Sequence, residues 1–413
     1  MNMNSNQETV VYLLCSSIRR KKVNNNNIHN VNWRIIFEMS KEQDIYTLLY
    51  PVIKNLHYDI KPAYEIMDEW KKRTILASLN QVKNTNKMSF VLKVFNEAEI
   101  PVIALKGLAL RKLYPVEELR TMSDSDILIH VGDLDKAKKI LLNSGYFEDH
   151  RDLKHAIFLH KQYNPIELHW LLVDTDCFKN ANYLEEDIWK NTEISNICGT
   201  TILVPSIENQ MVHLCLHMAV HFVSSGFGLR QLSDLVLLVE SKRNEINWNS
   251  FYEKIKKCKI ESFVIAIFEV CRRLFAMVVP DILYNKELEN SQYIDMIIDN
   301  VFSKGVYGGI FGKANLYPLN ENLLSYYRNK DQSNSFMRKL KYILVFFFPK
   351  HHNLGKRYNY VQKYPMLIPI AWLHRMIYGI IRKDYNIEQK KLILLPESEF
   401  LRKRDNLFKW LNL

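Results

Sequence analysis

The fold is most constrained by a change of residue pattern at Ile100, where long helical periodicity gives way to short apolar runs. Residues 101–105 and 126–131 have the length and the β-branched content of buried strands. Between them lies a helical stretch that stops at Pro115, because proline disrupts a helix interior. Strands that alternate with helices over so short a span predict a compact α/β unit.

Further elements extend this unit to residue 172. Residues 133–144 have an amphipathic helical pattern that Gly145 closes, since glycine is favoured just after the end of a helix. Residues 156–160 and 165–171 are predicted as the two strands of a hairpin. The predicted order of elements is therefore β-α-β-α-β-β over residues 100–172.

Helical patterns flank this unit on both sides. Apolar residues recur mostly at three- and four-residue steps in residues 1–99 and again in residues 173–290, apart from a short strand candidate at 201–204. Residues 291–413 are mostly helical after a poorly patterned stretch at 304–335. We predict an α+β fold: a small α/β core, an N-terminal helical region, a helical domain packed on the core, and a C-terminal helical region.

Charge and cysteine content bear on the setting of the chain. The 56 Lys and Arg residues outnumber the 45 Asp and Glu residues, and a net charge of +11 suits plain solubility or an anionic partner. Six scattered cysteines without a Cys-x-x-Cys pair indicate free thiols of a reducing compartment. The apolar stretches 342–348 and 366–381 are too short or too interrupted to span a bilayer, which takes about 20 apolar residues. We expect a cytoplasmic protein without a transmembrane segment, and peripheral membrane contact stays open.

Two aspartates, Asp124 and Asp126, stand at the start of the second predicted strand. Side chains two residues apart on a strand point to the same face, so both carboxylates can converge on divalent cations such as Mg²⁺. Two such cations about 3.5–4 Å apart stabilise the attacking and leaving oxygens of a phosphoryl-type displacement. An Asp-x-Asp pair alone also fits a solvated strand end, so its neighbours decide between the two interpretations.

The turn between the first strand and its helix carries Lys106 and Gly107. Glycine lets the backbone approach a phosphate closely, and the start of a helix offers unpaired N–H groups to an anion. Lys106 adds a positive charge for a triphosphate, and Arg120 could hold a phosphate with two hydrogen bonds. Taken separately, each of these residues also fits a plain turn or an exposed surface.

A third carboxylate, Glu167, lies inside an apolar strand pattern. Such a group is costly to bury unless it is paired or binds a metal. It could complete the metal site or act as a base for an acceptor hydroxyl. His169 shares its strand face and is a hydrogen-bonded structural residue, a ligand or part of a cleft.

Polar residues in the helical part could line the same cleft. His213, His217 and His221 recur every four residues on one helix face, which fits a domain seam, a substrate cleft or, less well, a zinc site. Arg230 and Asp234 are spaced for an intrahelical ion pair or for contact with a nucleotide or an acceptor.

Together these residues resemble the uncharacterised nucleotidyltransferase family of the DNA polymerase beta superfamily. The resemblance covers most of the chain. It is carried by Leu105-Lys106-Gly107, Leu113-Tyr114-Pro115, Leu119-Arg120, Ser123-Asp124-Ser125-Asp126-Ile127-Leu128-Ile129, Ser144-Gly145-Tyr146, Ile166-Glu167-Leu168-His169-Trp170, Asn32-Trp33, His217, His221, Leu232 and Asp234.

The resemblance implies a small mixed sheet with the acids on neighbouring strands. It also implies transfer of a nucleoside monophosphate from a nucleoside triphosphate, most simply ATP, to an acceptor, with Mg²⁺ or Mn²⁺ and release of pyrophosphate. Asp124, Asp126 and Glu167 would be the metal ligands and catalytic groups, and Lys106, Gly107, Arg120 and Ser123 would bind the nucleotide. The wider superfamily usually has Gly-Ser or Gly-Gly where this chain has Lys106-Gly107, so the serine hydroxyl is missing here.

Two other functions stay open. A nucleotide sensor or assembly module of the same fold could have lost turnover, and a nucleic-acid-binding protein could use the net charge of +11, although no dense basic motif is present. The acceptor is not identified: a small molecule, a sugar, a peptide, a protein hydroxyl or an RNA end all fit.

Overall fold

The computed structural model of the protein describes residues 3–172, 179–223 and 226–304, and beyond them residues 344, 347–349, 354, 356–358, 360–381 and 399–413. Apart from the last two residues, the chain divides into two compact units, residues 1–220 with 227–306 and residues 221–226 with 307–411. Most of the poorly patterned stretch 304–335 and of the apolar run 342–348 lies outside the described residues. The predicted division at residues 99, 172 and 290 stays a prediction.

The N-terminal part of the first unit is helical, as its periodicity predicts. A capping box between Asn4 and Gln7 starts the first helix, and the longest helix ends just before Glu99, which adopts a left-handed φ of 56° ahead of Pro101. The helices are α1 (Ser5–Ile18), α2 (Trp33–Glu42), α3 (Tyr46–Ile53) and α4 (Tyr64–Glu97).

A seven-stranded mixed sheet forms the centre of the first unit. Its strands are β1 (Ile103–Ala104), β2 (Ser125–Leu128), β3 (Phe147–Arg151), β4 (His155–Leu159), β5 (Ile166–His169), β6 (Thr192–Ile197) and β7 (Thr200–Pro205). They lie in the order β3-β4-β5-β2-β1-β7-β6, and the pairs β2–β5 and β1–β7 are parallel. The helices α5 (Lys106–Leu110), α6 (Leu134–Asn143) and α7 (Asn182–Lys190) connect strands. The predicted α+β fold with a mixed sheet is confirmed.

One face of the sheet packs on α4 and α6. Apolar residues of both helices join Ile127, Ile166 and Leu168 of the central strands in one buried cluster. Because side chains alternate along a strand, Asp126, Glu167 and His169 point to the opposite face. The hydrophobic core therefore determines which face of the sheet presents the polar residues.

The rest of the described chain is helical. The first unit continues with α8 (Ile207–Val223), whose last three residues belong to the second unit, α9 (Leu229–Ser241), α10 (Trp248–Lys257), α11 (Glu261–Phe275) and α12 (Gln292–Lys304). The second unit contains α13 (Tyr360–Lys363), α14 (Ile368–Ile381) and α15 (Glu399–Trp410), with a small core that includes Tyr358 and Val361. None of the helices in the described ranges has both the length and the apolar content needed to cross a bilayer.

Two strands were not predicted. The hairpin expected at 156–160 and 165–171 is extended by β3, and the strand candidate at 201–204 pairs with β6. Both unpredicted strands are sheet edges with largely exposed side chains, so they lack the apolar pattern by which a buried strand is recognised.

A buried ion pair joins the segment before β2 to α9. The Arg120 guanidinium donates to both carboxylate oxygens of Asp234, over 3.2 Å from Nε and 2.5 Å from Nη2, and the Tyr114 hydroxyl donates to the same carboxylate over 2.8 Å. Nearby, Arg230 pairs with Asp44, and both residues also contact Thr121. These contacts show that Arg230 and Asp234 each pair with a distant residue of the chain.

Gly107 lies directly against this ion pair. A methyl group added at Gly107 would overlap Nη1 of Arg120 and lie 2.8 Å from its Cζ. The guanidinium cannot retreat easily, because Asp234 holds it with two hydrogen bonds. The close approach of Arg120 thus gives a structural reason for glycine at this position.

We predict that Asp234→Asn lowers the free energy of unfolding by about 3–5 kcal/mol, because it leaves the buried Arg120 charge without its counter-ion. Urea denaturation followed by tryptophan fluorescence measures the change. The matched control is Asp68→Asn, which removes a partner of the exposed Lys72 and should leave stability almost unchanged. Equal stability of Asp234→Asn and wild type would contradict the prediction.

We also predict that Gly107→Ala destabilises the protein by about 1–3 kcal/mol, the usual cost of overpacking a filled site. Gly132→Ala is the matched control, because a methyl group at Gly132 would meet no atom within 4 Å. The same denaturation experiment compares the two. If both variants unfold at the same urea concentration, the guanidinium of Arg120 is free to move and the packing argument is wrong.

Candidate active site

Parallel pairing of β2 with β5 assembles the polar site. In this register Asp126 lies opposite Glu167 and Leu128 lies opposite His169. Asp126 and His169 are buried, whereas the Glu167 side chain retains 24% exposure. Residues from two distant parts of the sequence, both predicted as site residues, are thereby brought to one face of the sheet.

Lys106 completes this group from the other side of β2. Its ammonium donates to Oδ1 of Asp126 over 2.7 Å. The backbone N–H of Leu105 donates to the carbonyl of Asp126 over 3.1 Å, so the main chain itself places Lys106 beside the carboxylate. Lys106 adopts a left-handed φ of 46°, a conformation that is uncommon for a residue with a side chain.

His169 contacts both carboxylates through one nitrogen. Its Nε2 lies 3.1 Å from Oδ1 of Asp126 and 3.4 Å from Oε2 of Glu167. The ring stacks on His155 of β4, with 5.0 Å between the ring centroids and 21° between the planes. The imidazole is therefore held between two strands with Nε2 directed at the acids.

Burial and nearby charges shift the pKa values of Asp124 and Asp126 in opposite directions. Burial alone would raise the pKa of Asp126, but the Lys106 charge and the contacts with His169 hold it well below its usual range. Asp124 is half-buried, and desolvation together with the charges of Asp126 and Glu167 raises its pKa to about 6. The two aspartates therefore have unequal proton affinities, although they lie two residues apart.

The donor atoms fit a divalent cation. In the described part of the chain, one group of three metal-binding side chains has its donor atoms within 4.8 Å of one another: Asp126, Glu167 and His169. Two carboxylates and an imidazole are common ligands of divalent metals. Asp124, which the sequence also suggested as a ligand, is not in this group, and His169 takes the third place. That role for Asp124 stays a prediction.

The other residues predicted from the sequence differ in their exposure and in their partners. Ser123 is exposed beside Asp124, whereas Arg120, Arg230 and Asp234 belong to the buried ion pairs described above. His217 and His221 are half-buried on α8. Nucleotide contact by any of these residues stays a prediction.

His213 is the one of the three predicted α8 histidines that lines a cavity together with Lys106. It is buried, and with Lys106 it lines a small cavity between α5 and α8. Burial and the nearby Lys106 charge lower the pKa of His213 to about 3, so its imidazole is neutral. The four-residue spacing marks the histidine-bearing face of α8, but only the packing shows which histidine of the three lines this cavity.

The solved structures that resemble this chain include three distant likenesses. An antibiotic-resistance factor, ANT(2'')-Ia, is 12% identical, with a TM-score of 0.32 over 40% of this chain and 87% of its own. The lincosamide antibiotic adenylyltransferase LnuA, with lincomycin bound, is 18% identical, with a TM-score of 0.27 over 37% and 94%. An antigenic nucleotidyltransferase-like protein from Paracoccidioides brasiliensis is 15% identical, with a TM-score of 0.32 over 47% and 93%. At these values none of the three informs on what this chain acts upon.

The family of the chain is shown by its sequence and not by these structural likenesses. No curated protein matches the sequence. A family model described as an uncharacterised nucleotidyltransferase matches residues 29–276, which is more than half of the chain and includes every residue of the site. The chain therefore belongs to the uncharacterised nucleotidyltransferase family.

Proposed function

We propose that the protein transfers a nucleoside monophosphate from a nucleoside triphosphate, with ATP as the simplest donor, to an acceptor hydroxyl and releases pyrophosphate. The observation that carries this proposal is the register that sets Asp126 opposite Glu167, with Lys106 on the same carboxylate, in a chain of a nucleotidyltransferase family. A cytoplasmic location and peripheral membrane contact stay predictions.

The acids would hold the divalent cation. Asp126, Glu167 and His169 supply the closest donor atoms, and Asp124 would contribute from the start of β2. When bound, Mg²⁺ or Mn²⁺ supplies Lewis-acid stabilisation of the phosphoryl oxygens. Glu167, the most exposed member of the three, is the candidate base for an incoming hydroxyl.

Lys106 would have two partners in turn. In the ligand-free chain its ammonium neutralises Asp126, which keeps a buried carboxylate from being left unpaired. When a cation takes over Asp126, the lysine charge becomes available to the triphosphate. Gly107 and Arg120 would keep the adjoining backbone in place while the lysine side chain changes partner, because Arg120 packs against Gly107 and is paired with Asp234.

Asp126→Asn should abolish turnover, because it removes the carboxylate that contacts both Lys106 and His169. We expect a loss of at least about a hundredfold, since metal stabilisation contributes several kcal/mol and about 1.4 kcal/mol corresponds to a factor of ten. Pyrophosphate release is measured with a panel of labelled nucleoside triphosphates and Mg²⁺ or Mn²⁺, first with cell extract as the source of acceptor.

The control for that experiment is Asp135→Asn, an exposed aspartate of α6 outside the site. It should retain wild-type turnover. If wild type binds nucleotide but releases no pyrophosphate with any donor, the chain is a binding module of this fold and the proposal of catalysis is wrong.

Lys106→Met should weaken nucleotide binding by about ten- to a hundredfold, the usual value of a charge-assisted hydrogen bond of about 1.5–3 kcal/mol. Calorimetry with saturating Mg²⁺ measures nucleotide binding in the state in which a cation occupies Asp126 and the lysine charge is available. Lys112→Met, an exposed lysine of the same segment, is the matched control and should bind nucleotide normally. Equal affinities of the two variants would remove Lys106 from the nucleotide site.

A further inference from the structure

We propose that His169 is a ligand of the catalytic cation through Nε2, and that it makes the site select Mn²⁺ or a similar first-row divalent metal over Mg²⁺. The inference deepens the proposed function and rests on the metal site assumed there. It concerns one question that the three carboxylates alone leave open, which is the identity of the metal.

The position of Nε2 is the first argument. This atom lies within 3.4 Å of one oxygen from each of two carboxylates, and those carboxylates come from neighbouring parallel strands. The stacked ring of His155 and the strand pairing hold the imidazole in place. The nitrogen and the two oxygens therefore already surround one point, without any rearrangement of the main chain.

The accounting of protons agrees with this arrangement. In the ligand-free chain, a proton on Nε2 can be donated to the two acids. A neutral imidazole keeps its single proton, which moves through solvent from Nε2 to Nδ1, and the cation then binds the freed Nε2 together with the two carboxylates. No other co-reactant is needed.

The chemistry of the donors supplies the selectivity. Mg²⁺ demands oxygen ligands in near-ideal octahedral geometry and gives up water reluctantly. Imidazole suits later divalent metals of the first row, and Mn²⁺ lies between these and Mg²⁺, accepting both carboxylates and nitrogen. A site with two carboxylates and one buried imidazole should therefore favour Mn²⁺ over Mg²⁺.

A different arrangement of the same residues must be distinguished. His169 could act only as a protonated partner of Asp126 and Glu167, so that its role would be structural. Only the ligand role places an imidazole nitrogen on the bound metal, so a readout of nitrogen coordination distinguishes the two arrangements.

The test compares metal binding by wild type, His169→Asn and His150→Asn, in each case with and without ATP. His150 is an exposed histidine of β3 and serves as the matched control. Calorimetry should show that wild type and the control bind Mn²⁺ at least about tenfold more tightly than Mg²⁺, and that His169→Asn loses most of this preference. An unchanged ratio of Mn²⁺ to Mg²⁺ affinity in His169→Asn would overturn the inference.

Pulsed EPR of bound Mn²⁺ gives a readout that a structural role would not affect. Wild type should show coupling of the manganese to an imidazole nitrogen, and the coupling should disappear in His169→Asn. If the variant does not fold, wild type alone still decides, because absence of nitrogen coupling, or of any cation binding, overturns the inference.

The same samples separate this inference from the proposed function. Nitrogen coupling without pyrophosphate release from any donor would leave His169 as a metal ligand and refute nucleotidyl transfer. Pyrophosphate release with a cation that shows no nitrogen coupling would leave the proposed function intact and refute the role of His169.

Discussion

The site depends on the parallel pairing of β2 with β5. This one register sends Ile127, Ile166 and Leu168 into the core beneath α4 and α6 and sends the acids to the other face. A shift by one residue would exchange the two sets, placing carboxylates in the hydrophobic core. The burial of the apolar residues therefore keeps the catalytic candidates aligned, although those apolar residues lie on the opposite face of the sheet.

Concentrating negative charge at a buried sheet face is costly, and the chain offsets this cost locally. Lys106 and His169 both contact Asp126, and Arg120 and Arg230 have carboxylate partners of their own nearby. Each of these buried charges therefore has a compensating group within the first unit. The helices outside the sheet provide two of these groups, Asp234 on α9 and Asp44 after α2, which ties the helical additions to the integrity of the core.

Much of the fold and of the candidate site could be predicted from the sequence, and the exceptions fall into two classes. The central strands, the acids at positions 126 and 167, and the helix that precedes Gly145 follow from local patterns of apolar and polar residues. The edge strands β3 and β6 lack such a pattern because their side chains are mostly exposed. The middle of α4 also departs from expectation, since Leu79 is 62% exposed although it continues the apolar periodicity.

Long-range partners are the second class of exception. The partner of Arg120 lies 114 residues away, so no local spacing could distinguish an ion pair with Asp234 from contact with a phosphate. Periodicity placed three histidines on one face of α8, but not the buried His213 beside Lys106. The sequence likewise showed that Glu167 and His169 share a strand face. The approach of the His169 Nε2 to both acids could be seen only once the pairing of β2 with β5 was known.

The left-handed backbone at Lys106 has a consequence for how this chain can change. Glycine would occupy that conformation more easily, and a side chain there costs on the order of 1 kcal/mol. Selection for stability alone would thus favour glycine, whereas any selection for the ammonium beside Asp126 favours lysine. A single position therefore sets relief of backbone strain in the turn against charge at the site, a trade-off between stability and activity confined to one residue.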